Sequence, residues 1–308
     1  MANTSSGISL HRDQVLGVSF ALLAAVGFSA KAILVKLAYF DAVDAVTLLA
    51  LRMVFSVPFF AAVALWARGN HAEPLGKRDW LAVLGLGLVG YYLSSFLDFL
   101  GLQYISAGLE RLILFLYPTL TVILSALVYR SAIGRKVVAA MALSYAGIAL
   151  VFFHDVGASQ GSVLLGASLV FASTLSYSVY LVGAGHAIAR IGAARFTAYA
   201  MIVASGATLF QFGVTHPLTA LDLPLRVYGL AVAMAVFSTV LPVFLLSAGI
   251  RRIGSGNVSL IGSIGPVATI YLAQVFLDER ISLQQIAGSL LVLAGVIAVG
   301  INSKSVGK

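Results

Sequence analysis

The chain has 308 residues, 60% of them hydrophobic and 10% charged, with a formal net charge of +8 and no cysteine. Soluble domains carry roughly 25% charged residues. Here apolar runs of membrane-crossing length, about 20 residues each, follow one another from Val15 to Ile301 and leave no room for a separate soluble domain. The composition excludes a soluble enzyme or regulator, together with disulfides and thiolate metal sites, and describes a polytopic all-α integral membrane protein.

Residues Met1 to Gln14 are polar. The apolar run after them is too long for the core of a signal peptide and has no convincing cleavage site behind it, so it reads as a retained first helix. Hydropathy breaks give ten transmembrane spans, at roughly 15–39, 44–66, 80–101, 107–129, 136–153, 162–188, 194–214, 226–248, 256–277 and 283–302. With the N-terminus in the cytoplasm, Arg12, Arg68, Lys77, Arg78, Arg130, Arg135, Lys136, Arg190, Arg195, Arg251, Arg252, Lys304 and Lys308 fall on the inner side. The outer side keeps Arg226 and Arg280, beside Asp41, Asp44, Asp155, Asp222, Asp278 and Glu279. The positive-inside rule then predicts both termini in the cytoplasm and accounts for the net charge without nucleic acid.

Taken in order, the first span carries Gly27-Phe28-Ser29-Ala30-Lys31, a cation roughly 10 Å below the outer end of the helix at 1.5 Å per residue. Arg52 lies in the second. Tyr91, Tyr92, Ser94 and Ser95 interrupt the third, which ends beyond Asp98, and the fourth holds Glu110-Arg111 and Tyr117-Pro118. A hydroxyl tract, Ser173, Thr174, Ser176, Tyr177, Ser178 and Tyr180, runs along the sixth, and Ser238, Thr239 and Pro242 interrupt the eighth. A loop at Gly254-Ser255-Gly256 leads into the ninth, which reads Ser259, Ser263, Gly265-Pro266, Tyr271 and ends on Leu277-Asp278-Glu279-Arg280. A proline deep in a membrane helix removes one hydrogen bond and bends the helix. Such a break is tolerated only where neighbouring groups or a cavity satisfy the freed carbonyl.

The two prolines belong to a repeat. At an offset of 148 residues Gly101 matches Gly249, Gly108 matches Gly256, Pro118 matches Pro266, Thr121 matches Thr269 and Gly147 matches Gly295. Paired proline and glycine positions in one register are hard to reach by apolar composition alone. The halves, 1–153 and 162–302, are joined by a short polar extracytoplasmic linker, 154–161. Each holds five spans, an odd number, so the second half is expected upside down relative to the first. Breaks at corresponding places in two such halves mark a binding site between the repeats.

The five-plus-five layout, the proline of the fourth and ninth spans, Leu277-Asp278-Glu279-Arg280, and the closing Ala146-Gly147 and Ala294-Gly295 resemble the EamA type of the drug/metabolite transporter superfamily. The likeness covers nearly the whole chain, and within the superfamily the sequence is most similar to bacterial inner-membrane amino-acid exporters, the aromatic amino-acid exporter among them. One departure is that the first half has Arg130-Ser131-Ala132 where the second has Asp278-Glu279-Arg280. The acidic end of the ninth span therefore reads as an outer helix cap rather than a site.

Ionisable groups within spans are costly and are functional candidates by default. Lys31, Lys36, Arg52, Asp98, Glu110 and Arg111 all belong to the first half and to the outer half of the membrane. Two readings compete: Arg52, Asp98, Glu110 and Arg111 as paired charges near the outer rim, or as working groups. Lys36 can snorkel to the surface. Lys31 would hold a substrate carboxylate if it faces the cavity. Aromatic rings with polar tips and hydroxyls suit a solute with an apolar body and a polar head, so the substrate-binding candidates are Lys31, Tyr92, Ser95, Tyr117, Tyr177, Ser238, Ser259, Ser263 and Tyr271. Against this, membrane helices also use Ser and Thr simply to bond one another. Pro118, Gly265 and Pro266 are the candidate hinge, and Asp98 and Glu110 the candidate coupling carboxylates.

The five histidines show no metal-ligand spacing, and no phosphate loop or nucleophile elbow appears, so no enzyme activity, metal or cofactor is expected. The resemblance implies a secondary transporter of the cell inner membrane that exports small metabolites, with amino acids leading and drugs, nucleobases or sugar phosphates as alternatives. A membrane-bound enzyme or sensor is the rival class. The expected partners are a small-molecule substrate and the lipid bilayer, and a monomer suffices.

Overall fold

The structure, a computed structural model, describes residues 4–70, 74–130, 132–158, 162–262 and 264–303; within these, the side chains of 4–13, 68–70, 157–158, 247, 254–257, 259–260 and 299–303 lie outside the description. The described residues contain no β-strand. The helices are α1 (Thr4–Tyr39), α2 (Ala45–Asn70), α3 (Lys77–Gly87), α4 (Ser94–Gly101), α5 (Ala107–Leu114), α6 (Tyr117–Tyr129), α7 (Arg135–Ala158), α8 (Val163–Ile191), α9 (Ala193–Thr215), α10 (Leu225–Ala235), α11 (Leu241–Gly262), α12 (Gly265–Leu277) and α13 (Leu283–Ser303). One π-helical segment, Leu88–Leu93, joins α3 to α4, and a second, Val236–Val240, joins α10 to α11.

Among the described residues eight helices are long and apolar enough to cross a membrane: Gln14–Tyr39, Ala45–Ala67, Lys77–Gly101, Ala107–Tyr129, Arg135–Val156, Val163–Ile191, Ala193–Thr215 and Leu225–Ile253. Two shorter apolar helices follow, Gly265–Leu277 and Leu283–Ala298. Large apolar side chains such as Phe153, Phe210, Leu164 and Leu65 stand about 70% exposed, a surface that a bilayer covers and water does not.

Two expectations need correction. Helix α7 continues through Ala158, so most of the stretch expected as a linker from His154 is helical. The loop expected at Gly254–Gly256 is helical as well, inside α11. The chain nevertheless doubles back there. Cγ2 of Val258 comes 3.5 Å from where a Cβ on Gly249 would sit, whereas a straight helix would separate two residues nine apart by roughly 13 Å. Neighbours on α1 agree. Gly17 meets Ile253 and Gly27 meets Phe237, so α11 begins antiparallel to α1. Ser29 then meets Gly265 and Lys36 meets Glu279, so α12 runs parallel to it.

Helices in a bilayer gain no hydrophobic drive from pairing, so they associate through close backbone approach and interhelical hydrogen bonds. The glycines supply that approach in matched pairs. A Cβ on Gly147 of α7 would fall 2.5 Å from the Gly288 carbonyl oxygen of α13, and one on Gly295 would fall 2.5 Å from the carbonyl oxygen of Ala140. Gly101 of α4 lies against the Gly166 carbonyl and Val170 amide of α8, while Gly249 of α11 lies against the Gly17 carbonyl and Ala21 amide of α1. Helix pairs follow the same rule: α1 packs on α11 and α8 on α4, and α2 packs on α9, α5 on α12 and α7 on α13. The third and eighth expected spans even share their irregularity, because the two π-helical segments start 148 residues apart.

Candidate functional site

Each expected proline break is a separation of two helices rather than a kink inside one. In the first half Leu116 N–H donates to the Ile113 carbonyl at 3.0 Å, a three-residue turn, and α6 begins anew with Pro118 in its first turn. In the second, Ile264 N–H donates to the Ile261 carbonyl at 3.1 Å and Pro266 opens α12. Proline is well placed there, since a first-turn amide has no helical acceptor to lose. Both half-helices also end alike, on left-handed caps at Arg130 (φ 52°) and Asp278 (φ 54°). The cap reading of Asp278 holds.

Carbonyls at the breaks are met from the opposite half. Ser178 Oγ on α8 donates to the Tyr117 carbonyl at 3.2 Å, and Ser29 Oγ on α1 donates to the Gly265 carbonyl at 3.0 Å. Thr174 Oγ1 reaches the Ile113 carbonyl at 3.3 Å. Ser176 Oγ donates to the carbonyl of Val89, inside the first π-helical segment, at 2.7 Å, and Ser173 Oγ donates to that of Ser94 at 2.7 Å. The hydroxyl tract of α8 thus divides by chemistry. Its serines and threonine bond backbone, while its tyrosines build an aromatic wall: Tyr117 meets Tyr177 edge-on at 5.8 Å, Tyr177 stacks on Tyr180 at 5.5 Å, and Tyr180 shares a 2.9 Å hydroxyl contact with Tyr91.

Beside the breaks the first half gathers its charges. Lys31 Nζ on α1 pairs with Asp98 Oδ2 of α4 and lies 3.1 Å from Glu110 Oε1 of α5. Ser106 caps the N-terminus of α5, accepting from Leu109 N–H at 3.1 Å, and so sets the phase that turns Glu110 inward. Glu110 is fully buried and Asp98 nearly so. Asp98 Oδ1 and Glu110 Oε2 have no hydrogen-bond partner among the described residues. Arg52 of α2 is buried over the Phe99 ring, 5.0 Å from its centroid, and donates to Ser95 Oγ at 3.2 Å. Arg111 points elsewhere. Its guanidinium reaches across to α12, where a Cβ built on Gly265 would fall 2.7 Å from Nη2.

The end of the bundle at Asp278 carries a second polar group. Glu279 Oε1 accepts from Ala107 N–H at 3.2 Å and lies 3.9 Å from Lys36 Nζ. Burial raises the Glu279 carboxyl above its ordinary 4.5, against the opposing pull of Lys36 and the Ala107 amide. Glu279 lies here among Gly108, Ile270, Ala273, Ile281 and Gln285.

Of the candidate residues, the structure brings together Lys31, Ser95, Asp98 and Glu110 around the charges, and Tyr117 and Tyr177 on the aromatic wall. Gly265 meets the guanidinium of Arg111. Three others stand apart. The Tyr92 hydroxyl turns to Gln211 of α9, to which it donates at 3.1 Å. Tyr271 is 62% exposed, six residues past Gly265 and so roughly 120° around the helix from it. Ser238 is buried in the second π-helical segment with its hydroxyl unpartnered among the described residues. Ser263 and the side chain of Ser259 lie outside the described residues. Lys31, the candidate for a substrate carboxylate, is held by two carboxylates of the protein itself. Arg111, left open between a rim pair and a working group, was not among the expected substrate-binding residues, and it makes no ion pair within 4 Å among the described residues. Three cations against two carboxylates among these five groups was the available signal. Among the described residues no group of three or more His, Asp or Glu is placed to hold a metal ion.

Comparison with known proteins places this geometry in a family. The EamA-like transporter family model matches twice, over residues 15–153 and 164–301. An uncharacterised transporter of Bacillus subtilis (strain 168), YcbK, is 32% identical over 289 residues, 90% of each chain. A probable terminal-alkyne amino-acid exporter of Streptantibioticus cattleyicolor is 32% identical over 119 residues, 38% of this chain and 37% of that one. A crystal structure sharing 19% identity superposes with a TM-score of 0.64 over 95% of this chain and 98% of the other, a likeness of fold alone. With the family model covering both halves, the chain is a member of the EamA-like transporter family.

Proposed function

We propose that this transporter exports amino acids, aromatic ones among them, across the inner membrane by alternating access, with ten spans in two inverted halves and both termini in the cytoplasm. The exchanged contacts support the inverted arrangement. A residue of one half and its neighbour in the other are repeated by their counterparts with the halves swapped, as a pseudo-two-fold axis requires. The second apolar helix pair, Gly265–Leu277 and Leu283–Ala298, supplies the ninth and tenth crossings.

The observation that carries the transport reading is the convergence of buried charge from one half on the helix break of the other. Groups of this kind are retained inside a membrane where they serve a substrate or ion path. Tyr117 and Tyr177 offer rings to an apolar body, and the charged cluster offers partners to a polar head. Lys31, Asp98 and Glu110 form the coupling group. When all three are ionised their net charge is −1, and one proton brings it to zero, so proton entry and substrate exit can alternate through the same groups. Broken helices let the outer and inner half-helices tilt separately around Pro118 and Gly265-Pro266. The partial match to an amino-acid exporter favours amino acids over drugs, nucleobases or sugar phosphates.

Counterflow of labelled amino acids in proteoliposomes, with and without an imposed pH gradient, tests both parts. Wild type should exchange at least one amino acid and respond to the gradient. D98N and E110Q should keep exchange and lose the response. Absence of exchange for every amino acid would remove the substrate assignment, and a wild-type rate indifferent to the gradient would make the protein a facilitator.

A further inference from the structure

The cluster holds one more cation than it can pair. Lys31, Arg52 and Arg111 are the cations near Asp98 and Glu110; both carboxylates lie with Lys31, and Arg111 turns to α12. Arg52 has an aromatic face and a serine hydroxyl. Arg111 has neither kind of partner. Its Nε is buried without a hydrogen bond among the described residues, and neither Asp98 nor Glu110 comes within ion-pair distance of it. Glu110 and Asp98 act on this guanidinium only from beyond ion-pair distance, and a charge held in a low-dielectric setting without a direct partner is costly.

Its position is equally specific. Gly265, against which Nη2 lies, is the twelfth residue in from Leu277 at the outer end of α12, a depth of roughly 18 Å at 1.5 Å per residue, close to the middle of a hydrocarbon core about 30 Å thick. The guanidinium therefore stands at mid-membrane, between α5 and the first turn of α12. Tyr117 lies within electrostatic reach on the aromatic wall, and Phe115 meets that ring edge-on at 6.2 Å. Gly265 is what admits it. A Cβ on any larger residue would come 2.7 Å from Nη2, so the guanidinium tip would have to shift. The first turn of α12 adds the partial positive charge of a helix end at the same place.

We infer that Arg111 is the group that recognises the substrate, taking its carboxylate in the forked geometry only a guanidinium offers, while Tyr117 and Tyr177 take the apolar body. The inference rests on the transport reading above and narrows it: the required head group is the carboxylate, and Lys31 is left to Asp98 and Glu110. An arriving carboxylate supplies the missing negative charge of the cluster, and leaves it unbalanced again on departure.

Counterflow with phenylalanine, its amide and 3-phenylpropionate as competitors tests this. Wild type should prefer both acids to the amide. Arg111→Gln should raise KM for the acid roughly 10- to 100-fold, as expected for loss of a charged hydrogen-bonding partner, with kcat changed less and the preference for acid over amide abolished. Arg111→Lys should fall between. If Arg111→Gln fails to fold, Gly265→Ala carries the test, because its methyl displaces the guanidinium while keeping the charge; KM for the acid should rise and that for the amide should not. An acid preference surviving in Arg111→Gln, or an acid KM unchanged in Gly265→Ala, overturns the assignment. Should no amino acid exchange at all, melting of the purified protein separates the two ideas. A rise with 3-phenylpropionate that Arg111→Gln abolishes keeps the anion site without the amino-acid cargo, and no rise with any carboxylate removes the site as well.

Discussion

Replacing Lys31 by Met leaves Asp98 and Glu110 facing one another in the bundle interior with no cation between them. The structure sets the size of the effect. Lys31 Nζ is in contact with Asp98 Oδ2 and 3.1 Å from Glu110 Oε1, and both acids are buried, so neither has water to turn to. At an effective dielectric constant of 20, a pair at this separation is worth roughly 5 kcal/mol. Removing one partner of a buried pair typically costs about 3–5 kcal/mol. A loss on the order of 10 °C in melting temperature is therefore expected for K31M, measured in detergent by the fluorescence of Trp66 and Trp80. The triple variant K31M/D98N/E110Q removes the charges together and should regain most of that loss, because the penalty comes from unpaired charge and not from missing lysine. A K31M protein that melts with wild type, or a triple variant no better than K31M, would refute the assignment of these three residues as one electrostatic unit.

Three further outcomes follow from the packing and the caps. Gly147→Ala drives a methyl to 2.5 Å from the Gly288 carbonyl, backbone that cannot rotate away, and Gly295→Ala does the same to Ala140; each should cost about 1–3 kcal/mol, whereas Gly85→Ala, with open space at the same point, should melt near wild type. Glu279, with its carboxyl raised by burial, binds a proton more tightly folded than unfolded. Its contribution is fully present below pH 4.5 and is lost as pH rises through the raised value. Melting measured from pH 4 upward should show wild type losing ground to E279Q, and parallel curves would contradict this. Pro266→Ala should slow transport more than it lowers the melting temperature, since the residue occupies a first turn where its amide has no helical partner.

The parts of this molecule legible in its sequence are those with a one-dimensional signature. Span positions follow from apolar length, and Pro118 with Pro266, or Gly147 with Gly295, betray the repeat by constant offset. How the breaks are made was not legible. A proline in an apolar run reads as a kink, and only the hydrogen bonds of Leu116 and Ile264 show two helices meeting at a short turn. The π-helical segments carry no composition of their own, and their freed carbonyls appear only through a donor such as Ser176, 87 residues along the chain from Val89. Lys31 and Asp98 were each visible as misplaced charges, but their pairing spans 67 residues and two helices. Glu110 and Arg111 are neighbours in sequence and about 100° apart on the helix, which is enough to send one into the charged cluster and the other to α12. Sequence adjacency concealed a difference of role.

Alternating access requires the paired breaks to form one site reached in turn from each side. Because the chain has no cysteine, a single Thr121→Cys, one helical turn beyond Tyr117 and on the same face, gives an unambiguous reporter. Its reaction with a membrane-impermeant maleimide, applied separately to right-side-out and inside-out vesicles, measures that access directly. Labelling from both sides, slowed on both by the transported amino acid, is the predicted result. Labelling from one side only, or at rates that substrate does not alter, would rule out a single site with alternating access.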